Sequence, residues 1–168
     1  REILEKLNEA DNLVRDLQDN VRGKLKINAP MALGISELSD MFADFMASHP
    51  EIELDIHLGD ESSDLVEKGF DLGFRASSTL VDSNYVGKPL TEFNYRICAS
   101  PEYLSQQPKI NTPADLEQHN CFIYSYFNSK NVWPIDGGVK VGGKLRVNST
   151  PFMMASIKKG LGIGFIPD

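Results

Sequence analysis

The residues of this chain whose types and positions suit chemistry are an arginine, several hydroxyls and an asparagine, and the chemistry they suit is anion binding. Arg75 closes the run Phe70-Asp71-Leu72-Gly73-Phe74, and a guanidinium grips a carboxylate through two parallel N–H bonds. Ser77 lies two residues further on. Ser100-Pro101 and Thr150-Pro151 each set a hydroxyl before a proline at a helix start, and Asn148 and Ser149 precede the second pair. Helix N-termini offer unpaired N–H groups and a partial positive charge, so a small anion is their natural guest. The candidate contacts are therefore Pro30, Met31 and Ala32 after the first strand, Arg75 and Ser77 after the third, Ser100, Ser125, and the trio Asn148, Ser149 and Thr150. A plainer use is open for each. Arg75 can pair with Asp71 or Glu67 at the surface, and the hydroxyls can simply cap helices.

Catalytic signatures are missing. His49, His57 and His119 are scattered and form no ligand pair, and Cys98 and Cys121 stand 23 positions apart without a CxxC. No structural metal is expected. Both cysteines sit in apolar segments and read as reduced, buried thiols of an intracellular protein. Gly160-Leu161-Gly162-Ile163-Gly164 lacks the last glycine of a dinucleotide fingerprint and follows a helix instead of opening one, so it reads as close strand–helix packing and no cofactor is expected. The phosphate-loop, nucleophile-elbow and zinc-protease motifs are likewise missing. Asn148-Ser149-Thr150 matches a glycosylation sequon by chance. The chain is expected not to be an enzyme.

Composition narrows the partners. Across 168 residues, 17 Lys+Arg oppose 24 Asp+Glu for a net charge of −7, so this piece does not grip nucleic acid through phosphate neutralisation. Its apolar runs are too short to span a bilayer as a helix. The charged opening REILEKLNEADN has no signal-peptide core, and a cytoplasmic location follows.

The elements that must position these groups are legible in the spacing. Residues 1–22 hold no Gly or Pro, and Ile3, Leu7, Ala10, Val14, Leu17 and Val21 follow an a/d heptad seam ended by Gly23. That seam either packs on its own domain or pairs with a second subunit. Residues 24–29 alternate as a strand, Ile35, Leu38, Met41, Phe42, Phe45 and Met46 follow helical spacing, and Ile52, Leu54, Ile56 and Leu58 alternate again. A short helix over 60–68 and a buried strand over 70–75 complete a βαβαβ unit with a parallel sheet. A second α/β block follows, with strands over 92–98, 121–127, 139–147 and 161–166. Its helices start at Ser100-Pro101, Thr112-Pro113 and Thr150-Pro151, and the last ends at Gly160.

Several stretches resemble one family in order. They are Gly23 to Pro30, Phe45 to Leu54, Asp64-Leu-Val-Glu-Lys-Gly-Phe-Asp-Leu-Gly-Phe-Arg75, Cys98 to Leu104, Thr112 to Leu116 and Gly160 to Pro167. Together they resemble the effector domain of LysR-type transcriptional regulators across nearly the whole chain. The resemblance implies a type 2 periplasmic-binding-protein-like α/β fold, with two lobes around a cleft for a small-molecule effector. It implies a linker and dimerisation helix at 1–22 and an effector-binding domain at 23–168, with 23–90 mainly the first lobe and 91–168 mainly the second. It also implies a homo-oligomer, dimer or tetramer, that meets DNA only through an N-terminal helix-turn-helix domain absent from this chain. Two departures stand out. Ala32 replaces the hydroxyl residue that relatives often carry after the first strand, and the family pattern runs on past Asp168 through a further strand, a return crossing and a final helix. A free-standing solute-binding protein of the same fold is the competing reading.

Overall fold

Gly23, with φ of +130°, leads into the first strand. The computed structural model describes residues 21–60, 65–76, 86–127 and 131–168. The heptad positions Ile3, Leu7, Ala10, Val14 and Leu17 lie outside the described residues, as does Ser77; Val21 is described and exposed.

Two units divide the chain, Arg1–Ala76 and Ser77–Asp168. In the first unit β1 (Gly23–Ala29) lies between β2 (Ile52–Leu58) and β3 (Leu72–Gly73), parallel to both. Period-2 alternation sends Ile27 and Ala29 to one face. There they bury completely with Leu38 and Phe42, backed by Leu25, Leu54, Ile56 and Phe74. The opposite face sets Lys24, Lys26 and Asn28 beside Glu53, Asp55 and His57 by register. The single predicted helix over 35–46 is instead two, α1 (Met31–Ser36) and α2 (Leu38–Ser48), broken at Glu37. The predicted stripe is split accordingly: Leu38 and Phe42 are buried, whereas Ile35, Met41 and Met46 are exposed. The helix expected over 60–68 is a turn in its described part, 65–69, ending at Gly69 with φ of +65°. The third strand pairs only at Leu72–Gly73, although Asp71 N–H and Phe74 N–H still donate to Lys26 O and Asn28 O.

In the second unit β4 (Tyr95–Ala99) runs antiparallel to β9 (Ile163–Pro167). Between them in sequence come α3 (Pro101–Gln106), a 3-10 helix (Pro113–Gln118), β5 (Ile123–Tyr124), β6 (Val132–Trp133), β7 (Val139–Lys140), β8 (Arg146–Val147) and α4 (Thr150–Lys158). β5 pairs parallel with β8, and β6 antiparallel with β7. Strand β9 is buried on both sides, which explains its small apolar sequence. Ile163 and Phe165 join Tyr103, Leu116, Cys121 and Trp133, while Ile166 packs with Phe122, Met153 and Ile157 of α4. The glycine run does what close packing requires: a Cβ on Gly162 would stand 2.3 Å from Asn120 O, and one on Gly164 2.5 Å from Ile157 Cδ1. Two predicted strands are shorter than read. Residues 121–127 pair in β5 alone apart from a bridge at Cys121, and 139–147 breaks into β7 and β8. A Cβ on Gly143 would stand 2.3 Å from Cys121 O, so the chain crosses there in close backbone contact.

Candidate functional site

The carboxyl ends of β1 and β3 carry the first group of predicted contacts. Pro30 is buried and caps α1, with Met31 and Ala32 half-buried in its first turn. Arg75 follows β3 by two residues, and its Nη1 donates to Asn28 Oδ1 and, at 3.0 Å, to Phe74 O. Asn28 is 7% exposed, and its Nδ2 donates to His57 O at 3.1 Å. A nearly buried amide thus spans β1 and β2 and holds the arginine head at the strand ends. Sequence reasoning missed Asn28. The available signal was a polar residue at the buried end of an alternating strand, two places before Pro30.

Carboxyl ends of β5 and β8 gather the second group. Ser125 N–H donates to Val147 O at 2.9 Å, which brings Ser125 beside Asn148. Asn148 Nδ2 donates to Tyr126 Oη at 3.4 Å, so Tyr126, which no sequence pattern marked, joins them. Ser149, not Thr150, caps α4: its Oγ accepts from Phe152 N–H at 3.3 Å, and Thr150 is the first helical residue. A proline at the second helical position displaced the cap by one residue. Ser100 caps α3, its Oγ accepting from Tyr103 N–H at 3.2 Å. It does not join the group. Ala99 pairs with Ile163, which also bridges Cys121, so Ser100 lies beside the start of β5 while Ser125 and Asn148 follow the ends of β5 and β8. At Thr112-Pro113 the Asp115 carboxylate accepts from Thr112 and Asn111 N–H, both at 2.8 Å, and those bonds hold its pKa below the usual carboxylate range.

The thiol chemistry is quiet. Cys121 is fully buried, and loss of solvation pushes its pKa up to about 12. Among the described residues no three His, Cys, Asp or Glu side chains cluster as metal ligands, and no helix is long and apolar enough to cross a membrane.

Each of the two α/β units gathers polar side chains at strand ends and helix starts, the places where α/β folds commonly hold ligands. The LysR substrate binding domain profile matches residues 18–168, and the chain belongs to that family. An uncharacterized HTH-type transcriptional regulator of Haemophilus influenzae is 30% identical over 171 residues, covering 98% of this chain and 59% of the relative. An HTH-type transcriptional regulator of Xanthomonas campestris is 33% identical over 143 residues, covering 83% and 41%. The chain thus spans about three fifths or less of the curated relatives it matches. Among solved structures, the regulatory domain of CrgA, a LysR-type transcriptional regulator from Neisseria meningitidis, is similar with a TM-score of 0.77 and 25% identity, over 88% of this chain and 74% of that one. Full-length CrgA is similar with a TM-score of 0.79 over 99% of this chain and 58% of that one. The fold is that of these regulatory domains, the type 2 periplasmic-binding-like fold. The relatives are transcriptional regulators, not enzymes.

Proposed function

We propose that this chain is the effector-sensing part of a cytoplasmic, DNA-binding transcription regulator and that its effector is a small organic anion. The observation that carries this reading is Arg75 fastened to the nearly buried Asn28 at the carboxyl ends of β1 and β3, beside the start of α1 at Pro30, Met31 and Ala32. The Asn28 amide orients the guanidinium at the strand ends without itself adding a counter-charge. Ser125, Asn148, Ser149 and Thr150 supply further polar groups on the second unit, with Ser77 and Ser100 as additional candidates. Residues 1–22 serve as the linker and pair two copies through the heptad seam, 23–168 serve as the sensing domain, and DNA is met through a separate helix-turn-helix. Effector binding acts by shifting populations between conformations.

The test is a thermal-shift screen against small carboxylates, amino acids, aromatic acids and phosphates. A ligand at a hundredfold its Kd adds about 2.7 kcal/mol, or roughly 5–10 °C in Tm for a domain of this size. The reading expects a carboxylate hit that Arg75→Ala abolishes. Stabilisation confined to cations or uncharged molecules contradicts it.

A further inference from the structure

The polar face of the first sheet carries a second candidate site, which shares Asn28 with the anchor of Arg75. A groove of about 390 Å³ is formed there by Lys26, Asn28, His57, Gly59, Lys68 and Phe70, with Leu58 at its rim. That volume lies within the range of small-molecule sites. Among the described residues, every ionisable side chain lining it is basic, in a chain of net charge −7. The carboxylates of the same face are committed elsewhere. Asp55 takes Lys24 at 3.0 Å and His57 Nε2 at 3.1 Å, and Asp71 Oδ2 accepts the backbone N–H of Lys26 at 2.8 Å. The Lys26 ammonium instead lies 4.8 Å from the centroid of the Phe70 ring and donates one hydrogen bond, at 2.9 Å, to Lys68 O. An ammonium has three donors, so bonding capacity is left over. Lys68 makes no ion pair among the described residues. The His57 ring stands edge-on to Phe70 with centroids 5.2 Å apart. The groove therefore combines an aromatic floor with two ammonium groups that pair with no carboxylate among the described residues.

We propose that this groove binds a small organic dianion. Its two negative charges meet Lys26 and Lys68, and its carbon portion lies against Phe70. The site adjoins the one assigned to Arg75 through Asn28, but the charged contacts it uses, Lys26 and Lys68, are its own.

The experiment is an NMR titration of the isotopically labelled chain with sodium succinate, and separately with inorganic phosphate, at constant ionic strength. The His57 and Phe70 ring resonances and the Asn28 side-chain amide report occupancy. Succinate is expected to give saturable shifts. Lys26→Gln combined with Lys68→Gln is expected to weaken binding about tenfold or more, because two charge-assisted contacts are lost. Lys140→Gln, on an exposed side chain of the second unit, is expected to leave the binding unchanged. Lys68→Gln alone, on an exposed side chain, keeps the test decisive where the double variant loses its folded spectrum. Three results overturn the proposal. They are the lack of saturation with succinate, equal affinity in the lysine variants, and tighter binding of phosphate than of succinate. Shifts lost only in Arg75→Ala also overturn it and assign the anion to the effector site, leaving that reading intact.

Discussion

At the scale of single residues, the strongest structural constraints fall on polar groups inside the second unit. Tyr103 Oη accepts from Asn120 N–H at 3.0 Å and lies 3.2 Å from His119 Nδ1. Its one proton is then free to reach the imidazole, while His119 Nε2 is buried without a partner among the described residues. Tyr103→Phe removes a hydroxyl serving two groups at once. Buried groups left unsatisfied cost about 1–3 kcal/mol, so chemical denaturation is expected to show a lower midpoint at unchanged m. Cys121 makes a second residue-scale prediction. Its folded pKa is raised to about 12, so in the folded chain it keeps a proton that the unfolded chain releases near pH 8.5. Its contribution is whole below that pH and declines as pH rises from about 8.5 toward 12, on the order of 1 kcal/mol per pH unit. Denaturation at pH 7.5 and 9.5 is expected to show that loss in the native protein and a shallower one in Cys121→Ala.

At the scale of elements, caps and glycines separate what spacing reveals from what packing decides. Ser149→Ala is expected to cost about 1 kcal/mol and Thr150→Ala markedly less, because Ser149 makes the cap. Equal losses in thermal denaturation would restore Thr150 as the cap. Gly162→Ala drives a methyl to 2.3 Å from the backbone oxygen of Asn120, whereas in Gly34→Ala the nearest atoms are the mobile ends of Leu58. Overpacking costs typically about 1–3 kcal/mol, and Gly162→Ala is expected to be the worse of the two by Tm. The same contrast explains what was legible beforehand. β1 and β2 show in sequence because one of their faces is buried and the other wet, which is what alternation encodes. β9 shows through its apolar run and the glycine before it. β6 does not show, and β5, β7 and β8 show only as overlong strands, since pairing so short is decided by tertiary contacts such as that of Gly143 with Cys121 O. The break at Glu37 escapes for a related reason. Apolar side chains at helical spacing, Ile35 and Met41 among them, remain exposed, so periodicity overstated one continuous buried face.

At the scale of the whole molecule, the order of short stretches from Gly23 to Pro167 carried the family, and the family profile over 18–168 bears that reading out. The candidate contacts were less legible. Strand ends and helix starts pointed to Pro30, Arg75, Ser125 and Asn148, but not to their partners: Asn28 showed only as a polar residue at the buried end of β1, and no pattern marked Tyr126. Pairing of two copies belongs to this scale as well. If the seam formed by Ile3, Leu7, Val14 and Leu17 joins two chains, Leu7→Asp with Leu17→Asp converts a dimer to a monomer in sedimentation velocity at micromolar concentration. A native chain that sediments as a monomer at high micromolar concentration excludes that role.

The most direct measurement of the central claim is the Kd of the carboxylate selected by screening, by calorimetry on the native chain, Arg75→Lys and Asn28→Ala. A lysine keeps the charge but loses the planar fork, and removing Asn28 frees the fork from its anchor. Both variants are expected to bind about tenfold or more weakly while melting as folded proteins. Native affinity in both, with the ligand still bound, would contradict an arginine clamp set by Asn28 at the ends of β1 and β3.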